Sequence, residues 1–132
     1  MHPRSLLQAL AGLAAALGLA IIGVGVASFK DFIYSQMIYT VVGGLIAAFS
    51  LALIPRVSAA PSDRRAGEVS VAHAWWIFSG GVGGLMVYLA PLFNKGHPAA
   101  AATLLVASLA SLAIGLAMLA YAKTRLGAPL TV

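Results

Sequence analysis

Long apolar runs separated by short polar breaks organise this chain. No charged residue occurs from Leu6 to Phe29, and after Lys30 and Asp31 a second uncharged run extends from Phe32 to Ile54, closed by Pro55 and Arg56. Two further runs cover 72–93 and 99–122. Each is close to the roughly 20 residues needed to cross about 30 Å of hydrocarbon as a helix. Backbone groups in lipid must find partners within their own segment, which selects helices. The length of the runs and their lack of strict alternation argue against barrel strands. The pattern therefore predicts an all-α fold, an integral membrane four-helix bundle, as a single transmembrane domain over 1–132 with helices at approximately 6–29, 32–54, 72–93 and 99–122.

The breaks are informative too. Lys30 and Asp31 predict a tight turn. Residues 94–98 link the last two helices, with Pro98 placed where a helix's first turn has no use for an N–H. Residues 55–71 read as the one long polar connection, holding Asp63, Arg64, Arg65 and Glu68. Pro91, near the end of the third run, is expected to bend it. A basic N-terminus before an apolar run also describes a signal peptide, but such a core spans about 7–15 residues. The first run is about twice that, so a retained helix is expected.

Composition sharpens this picture. Of the residues 61% are hydrophobic and only 8% charged, against roughly a quarter charged in soluble domains. The net charge of +5 lies between apolar runs instead of on one clustered face, which favours lipid headgroups over nucleic acid. Arg4, Arg56, Arg64, Arg65, Lys123 and Arg125 fall on one side of the expected membrane, Lys30 and Lys95 on the other. A six-to-two bias places both termini in the cytoplasm. Trp75 and Trp76 suit the headgroup boundary. The absence of cysteine excludes disulfides, thiolate metal sites and thiol catalysis.

Small residues recur four apart: Ala14 and Gly18, Gly23 and Ala27, Gly43 and Ala47, Gly44 and Ala48, Gly80 and Gly84, with Ala107, Ser111 and Gly115 on the fourth helix. Residues at that spacing share a helix face, and small ones let backbones approach closely. Packing within the chain is the default expectation. A sharper one is a dimer or larger assembly built on the glycine face of the third helix. Four slim helices enclose little space, so a transport route would require another membrane subunit, either a second copy or a larger complex.

Chemistry is sparse. Asp31, Asp63 and Glu68 all fall in expected loops, leaving the spans without the charge that usually marks an intramembrane site. His2, His73 and His97 do not form a metal or haem set, and no catalytic triad, phosphate loop or zinc motif occurs. No enzyme activity, metal or cofactor is expected. Hydroxyls within helices can bond the preceding turn's carbonyl. If a substrate is recognised, the candidates are Ser79, Tyr88 and Ser108, assisted by Trp76, with Gln36 at an outer entrance.

The stretch AHAWWIFSGGVGGL at 72–85, the VYLAP at 87–91 and the ATLLVASLASL at 102–112 resemble the glycine-rich third helix and its continuation in half-size drug/metabolite transporters, the small multidrug resistance and YdcZ-like proteins. The resemblance spans about a third of the chain. It implies a small transporter working as a dimer in a bacterial cytoplasmic (inner) membrane. The glutamate that the small multidrug resistance proteins carry in their first helix has no counterpart here, so its proton coupling does not transfer. The alternative is a non-catalytic accessory subunit of a respiratory or photosynthetic membrane complex. Carbonate washing of membranes from expressing cells should leave the protein in the pellet, and only detergent should release it. Recovery in the carbonate supernatant would overturn the reading of lipid as its solvent.

Overall fold

The computed structural model describes residues 2–130, and Met1, Thr131 and Val132 lie outside them. The described residues are helical with no strand: α1 Pro3–Ser28, α2 Ile33–Ala59, α3 Asp63–Tyr88, the single turn α4 Pro91–Asn94, and α5 Pro98–Leu126. Three of these, α1, α2 and α5, are long and apolar enough to cross a membrane. The 26-residue α3 is as long, but Asp63, Arg64, Arg65 and Glu68 occupy its first turns and glycine dilutes its apolar half. The long helices pack α1 on α2, α2 on α3, α3 on α5 and α5 on α1.

Two expected features are corrected. Residues 55–71 do not form a long loop: α2 runs through Pro55 to Ala59, α3 begins at Asp63, and only 60–62 link them. Pro55 lies near the C-terminus, where its missing N–H costs one intrahelical bond instead of splitting the helix. Ser62 then starts α3, its hydroxyl accepting from the Arg65 N–H at 3.1 Å, with Asp63 in the first turn to complement the helix dipole. Pro91 does not bend the third helix either. The helix stops at Tyr88, Ala90 is extended (φ −95°, ψ 99°), and Pro91 opens α4. A residue before proline is pushed out of the helical region, so the chain breaks there. Pro98 sits in the first turn of α5, and Gly127 (φ 66°) closes that helix in the left-handed region.

The core rests on two crossings where backbone meets backbone. A Cβ placed on Gly18 of α1 would lie 2.6 Å from the Gly43 carbonyl oxygen and 2.7 Å from the Ala47 nitrogen of α2. On Gly81 of α3 it would lie 2.8 Å from both the Ser108 oxygen and the Leu112 nitrogen of α5, and on Gly115 2.9 Å from the Phe78 nitrogen. Gly80 and Gly84, the expected dimer face of α3, are instead filled within the chain by Ile46 and by Ser108 and Val42. Gly23, Gly44 and Gly83 have no such neighbour.

These crossings predict a contrast. Gly81→Ala should lower unfolding stability in detergent by about 1–3 kcal/mol through overpacking against backbone. Gly83→Ala, in open space on the same helix, should be neutral or slightly stabilising, since alanine is the better helix former. Thermal unfolding followed by circular dichroism checks both, and equal effects would contradict the packing described.

Candidate functional site

Polar contacts concentrate in three places. At the end that carries both termini, α1 reaches across to the end of α2. Arg4 donates to the Ser58 carbonyl at 3.3 Å and the Val57 carbonyl at 3.5 Å, and pairs with Asp63 at 3.2 Å. Gln8 donates to the Ile54 carbonyl at 3.0 Å and to the Ser58 hydroxyl. The last carbonyls of a helix lack internal partners, so Arg4 caps α2 while its carboxylate partner opens α3. Arg64 and Arg65 both pair with Glu68 on the surface of α3.

At the opposite end Asn94 is the hub. Its amide donates to the carbonyls of Val87, Tyr88 and Ala90 at 2.9, 3.1 and 3.3 Å, satisfying the end of α3 where Pro91 interrupts the chain. Its side-chain oxygen accepts from the Tyr39 hydroxyl of α2, and Ser35 donates to the Phe93 carbonyl at 2.7 Å. Phe29 packs between Tyr39 and the His97 ring, at centroid distances of 4.9 and 4.5 Å.

The third place is lateral, on the outer surface between α2 and α3. His73, 6% exposed, contacts the Val69 carbonyl through Nδ1 at 2.9 Å and the Arg56 guanidinium through Nε2 at 2.8 Å. A carbonyl only accepts and a guanidinium only donates. The ring proton therefore belongs on Nδ1, and the Nε2 lone pair receives Arg56. Phe49 meets His73 edge-on at 6.0 Å and stacks on Trp76 at 5.1 Å with planes 9° apart. Ala48, Phe49, Ala52, Arg56 and His73 line an open groove of about 220 Å³.

The residues singled out in the sequence do not converge on one spot. Trp76 and Ser79 share the outward face of α3, where the Ser79 hydroxyl returns to the Trp75 carbonyl at 2.7 Å. Ser108 is fully buried against Gly84, and neither it nor Ser111 has a hydrogen-bond partner. Tyr88 and Gln36 lie at the far end in separate open grooves, of about 750 and 360 Å³. Gln36 donates to the Val26 carbonyl at 3.3 Å, across the α1–α2 turn. Trp75 is not simply a boundary residue: its indole donates to the Leu130 carbonyl at 2.8 Å and holds the C-terminal segment on α3. Sequence reasoning missed Arg4, Asn94, Tyr39 and Arg56 as contact-makers. For Arg4 and Asn94 the signal was present in the bare helix ends beside them.

Among the described residues no group of three or more His, Asp or Glu side chains is placed to hold a metal. The class these features define is an all-helical protein with three helices long and apolar enough to cross a membrane and a close-packed, glycine-rich interior. Compared with protein-family models, curated proteins and solved structures, the chain matches none.

The Asn94 hub carries a prediction. Asn94→Ala removes the one described partner of the Tyr88 carbonyl and the acceptor of the Tyr39 hydroxyl, while the Val87 and Ala90 carbonyls keep backbone donors, and should cost about 1–3 kcal/mol of stability. Tyr39→Phe, which removes one bond, should cost no more than about 1.5 kcal/mol. Equilibrium unfolding in mixed micelles reads both, and the reverse order would remove Asn94 from the centre of the network.

Proposed function

We propose that the chain is a four-span membrane protein with both termini cytoplasmic, working as half of a small transporter whose substrate route is completed by a second copy. The observation that carries this reading is a division between two faces. The inward side of α3 is packed tight through Gly80, Gly81 and Gly84. Its outward side presents Ser79 and Gly83 at helical spacing, with Gly44 of α2 also uncovered. Polar and small residues on a face that meets lipid are better explained by a partner than by hydrocarbon. A route through one copy would have to open the backbone crossings, whereas a route between copies uses surface that already exists. The resemblance at 72–85 and 102–112 supports the same reading.

A second reading, an accessory subunit of a larger complex, has its own support. Gly23 and Ala27 of α1 form another uncovered small-residue pair on a different helix, one more packing face than a two-fold dimer requires.

Purification in a mild detergent with mass measurement of the intact particle separates the two. The transporter reading predicts a homodimer that Ser79→Phe converts to a folded monomer, and a thermal shift with at least one member of a panel of amines, sugars and cations. A stoichiometric larger partner would overturn it in favour of the accessory subunit.

A further inference from the structure

We infer that the groove lined by Arg56, His73, Phe49, Ala48 and Ala52, with Trp76 stacked beside it on Phe49, is a binding site for one anionic phospholipid, its phosphate on Arg56 and an acyl chain along Ala48 and Ala52. The inference rests on α2 and α3 being membrane helices, and is independent of whether the protein transports anything.

The partner that holds Arg56 is the first observation. Ile46 packs on Gly80 and Phe49 stacks on Trp76, a register that puts residue 70 opposite residue 56. The His73 ring reaches back along α3 to the Val69 carbonyl, so Arg56 meets it close to the level of its own register. Arg56 is thus held by a histidine whose second nitrogen is fixed on backbone.

Charge is the second. Among the described residues Arg4, Arg64 and Arg65 each have a carboxylate, whereas Arg56, like Arg125 and the three lysines, has none. A guanidinium offers five N–H donors, and the described contacts place only the His73 bond on it. Arg56 lines a groove whose other walls are His73, alanine and the Phe49 ring. A phosphate diester complements that fork with paired charge-assisted bonds. The aromatic pair and the alanine floor fit a hydrocarbon chain, and Arg56 lies three residues from the end of α2, at the depth where headgroup and chain meet. His73 is a positioning residue: it fixes the guanidinium and leaves its outward donors to the ligand.

Quenching of Trp76 by phospholipids brominated on the acyl chain tests this, in full-length protein carrying Trp75→Phe so that one indole reports. In vesicles mixing phosphatidylglycerol and phosphatidylcholine, brominating the anionic lipid should quench as if it were enriched about five-fold at the groove over the neutral one. Arg56→Gln should bring that ratio to about one. Arg64→Gln, which removes the same charge from the same end, should leave it intact, as should inorganic phosphate added at constant ionic strength. Equal quenching by both lipids in the protein that retains Arg56 overturns the site alone. Loss of the preference in Arg64→Gln as well would reduce it to general surface charge, and displacement by inorganic phosphate would mean that an ion binds without a lipid. Quenching by neither lipid would show that bilayer does not reach Trp76, and would overturn the membrane placement of α3 along with the site.

Discussion

Two helix pairs in this protein touch through their backbones, and the remaining structure is arranged around that contact. In lipid, apolar side chains gain little by leaving their surroundings, so association rests on close packing and on bonds between helices. Removing the side chain at Gly18, Gly43, Gly81 and Gly115 brings whole stretches of backbone into van der Waals range, where many weak contacts add up. The larger buried side chains, among them Leu7, Ile21, Ile46, Ile77 and Met118, fill the spaces that these crossings leave. The buried serines fit the same scheme. Ser108 lies against Gly84 as a small side chain, and its hydroxyl takes no part in the bonding of the core.

Close crossings leave the helix ends to be settled separately, and each end has its own device. Arg4 and Gln8 serve the carbonyls that finish α2. Asn94 serves those that finish α3. Both act between elements distant in sequence, so each fixes a helix terminus and a tertiary contact in one step. A charged side chain at the first site and a neutral amide at the second match the charge content of the two ends, since the basic residues gather around Arg4 and only Lys30 and Lys95 lie near Asn94.

The number of long helices, the tight turn at Lys30 and Asp31, and the start of α5 at Pro98 were legible because uncharged length and proline position carry them directly. The extent of α2 and α3 was not. Charge at 63–68 reads as loop when every helix is assumed to begin where apolar residues begin, yet Ser62 before Asp63 is a capping signal that operates regardless of hydropathy. Small-residue spacing did not separate the helix faces that pack from those left open: Gly43 and Gly44 differ by one position, and only the former finds a neighbour. The groove at Arg56 was illegible for a related reason. Residues 56 and 73 meet through the α2–α3 register, and register follows from packing that no local pattern encodes. The same holds for the candidate residues: Ser79 and Ser108 are both small and polar, and only packing decides that one faces outward and the other inward.

The charge distribution bears on how two copies would meet. Six of the eight basic side chains lie at the end that holds both termini, and the bias counts Lys and Arg more than net charge. Under the proposed orientation every copy enters the bilayer the same way up, so a symmetric pair is related by an axis along the membrane normal. Such an axis beside the outer face of α3 sets each residue against its own counterpart, Ser79 near Ser79 and Gly83 near Gly83. It also leaves Arg56 of both copies at one membrane surface, where each would meet the same leaflet. An antiparallel pair would place the two Arg56 groups in opposite leaflets and would require half the copies to defy the basic-residue bias. The parallel arrangement is therefore the one that agrees with the distribution of basic residues.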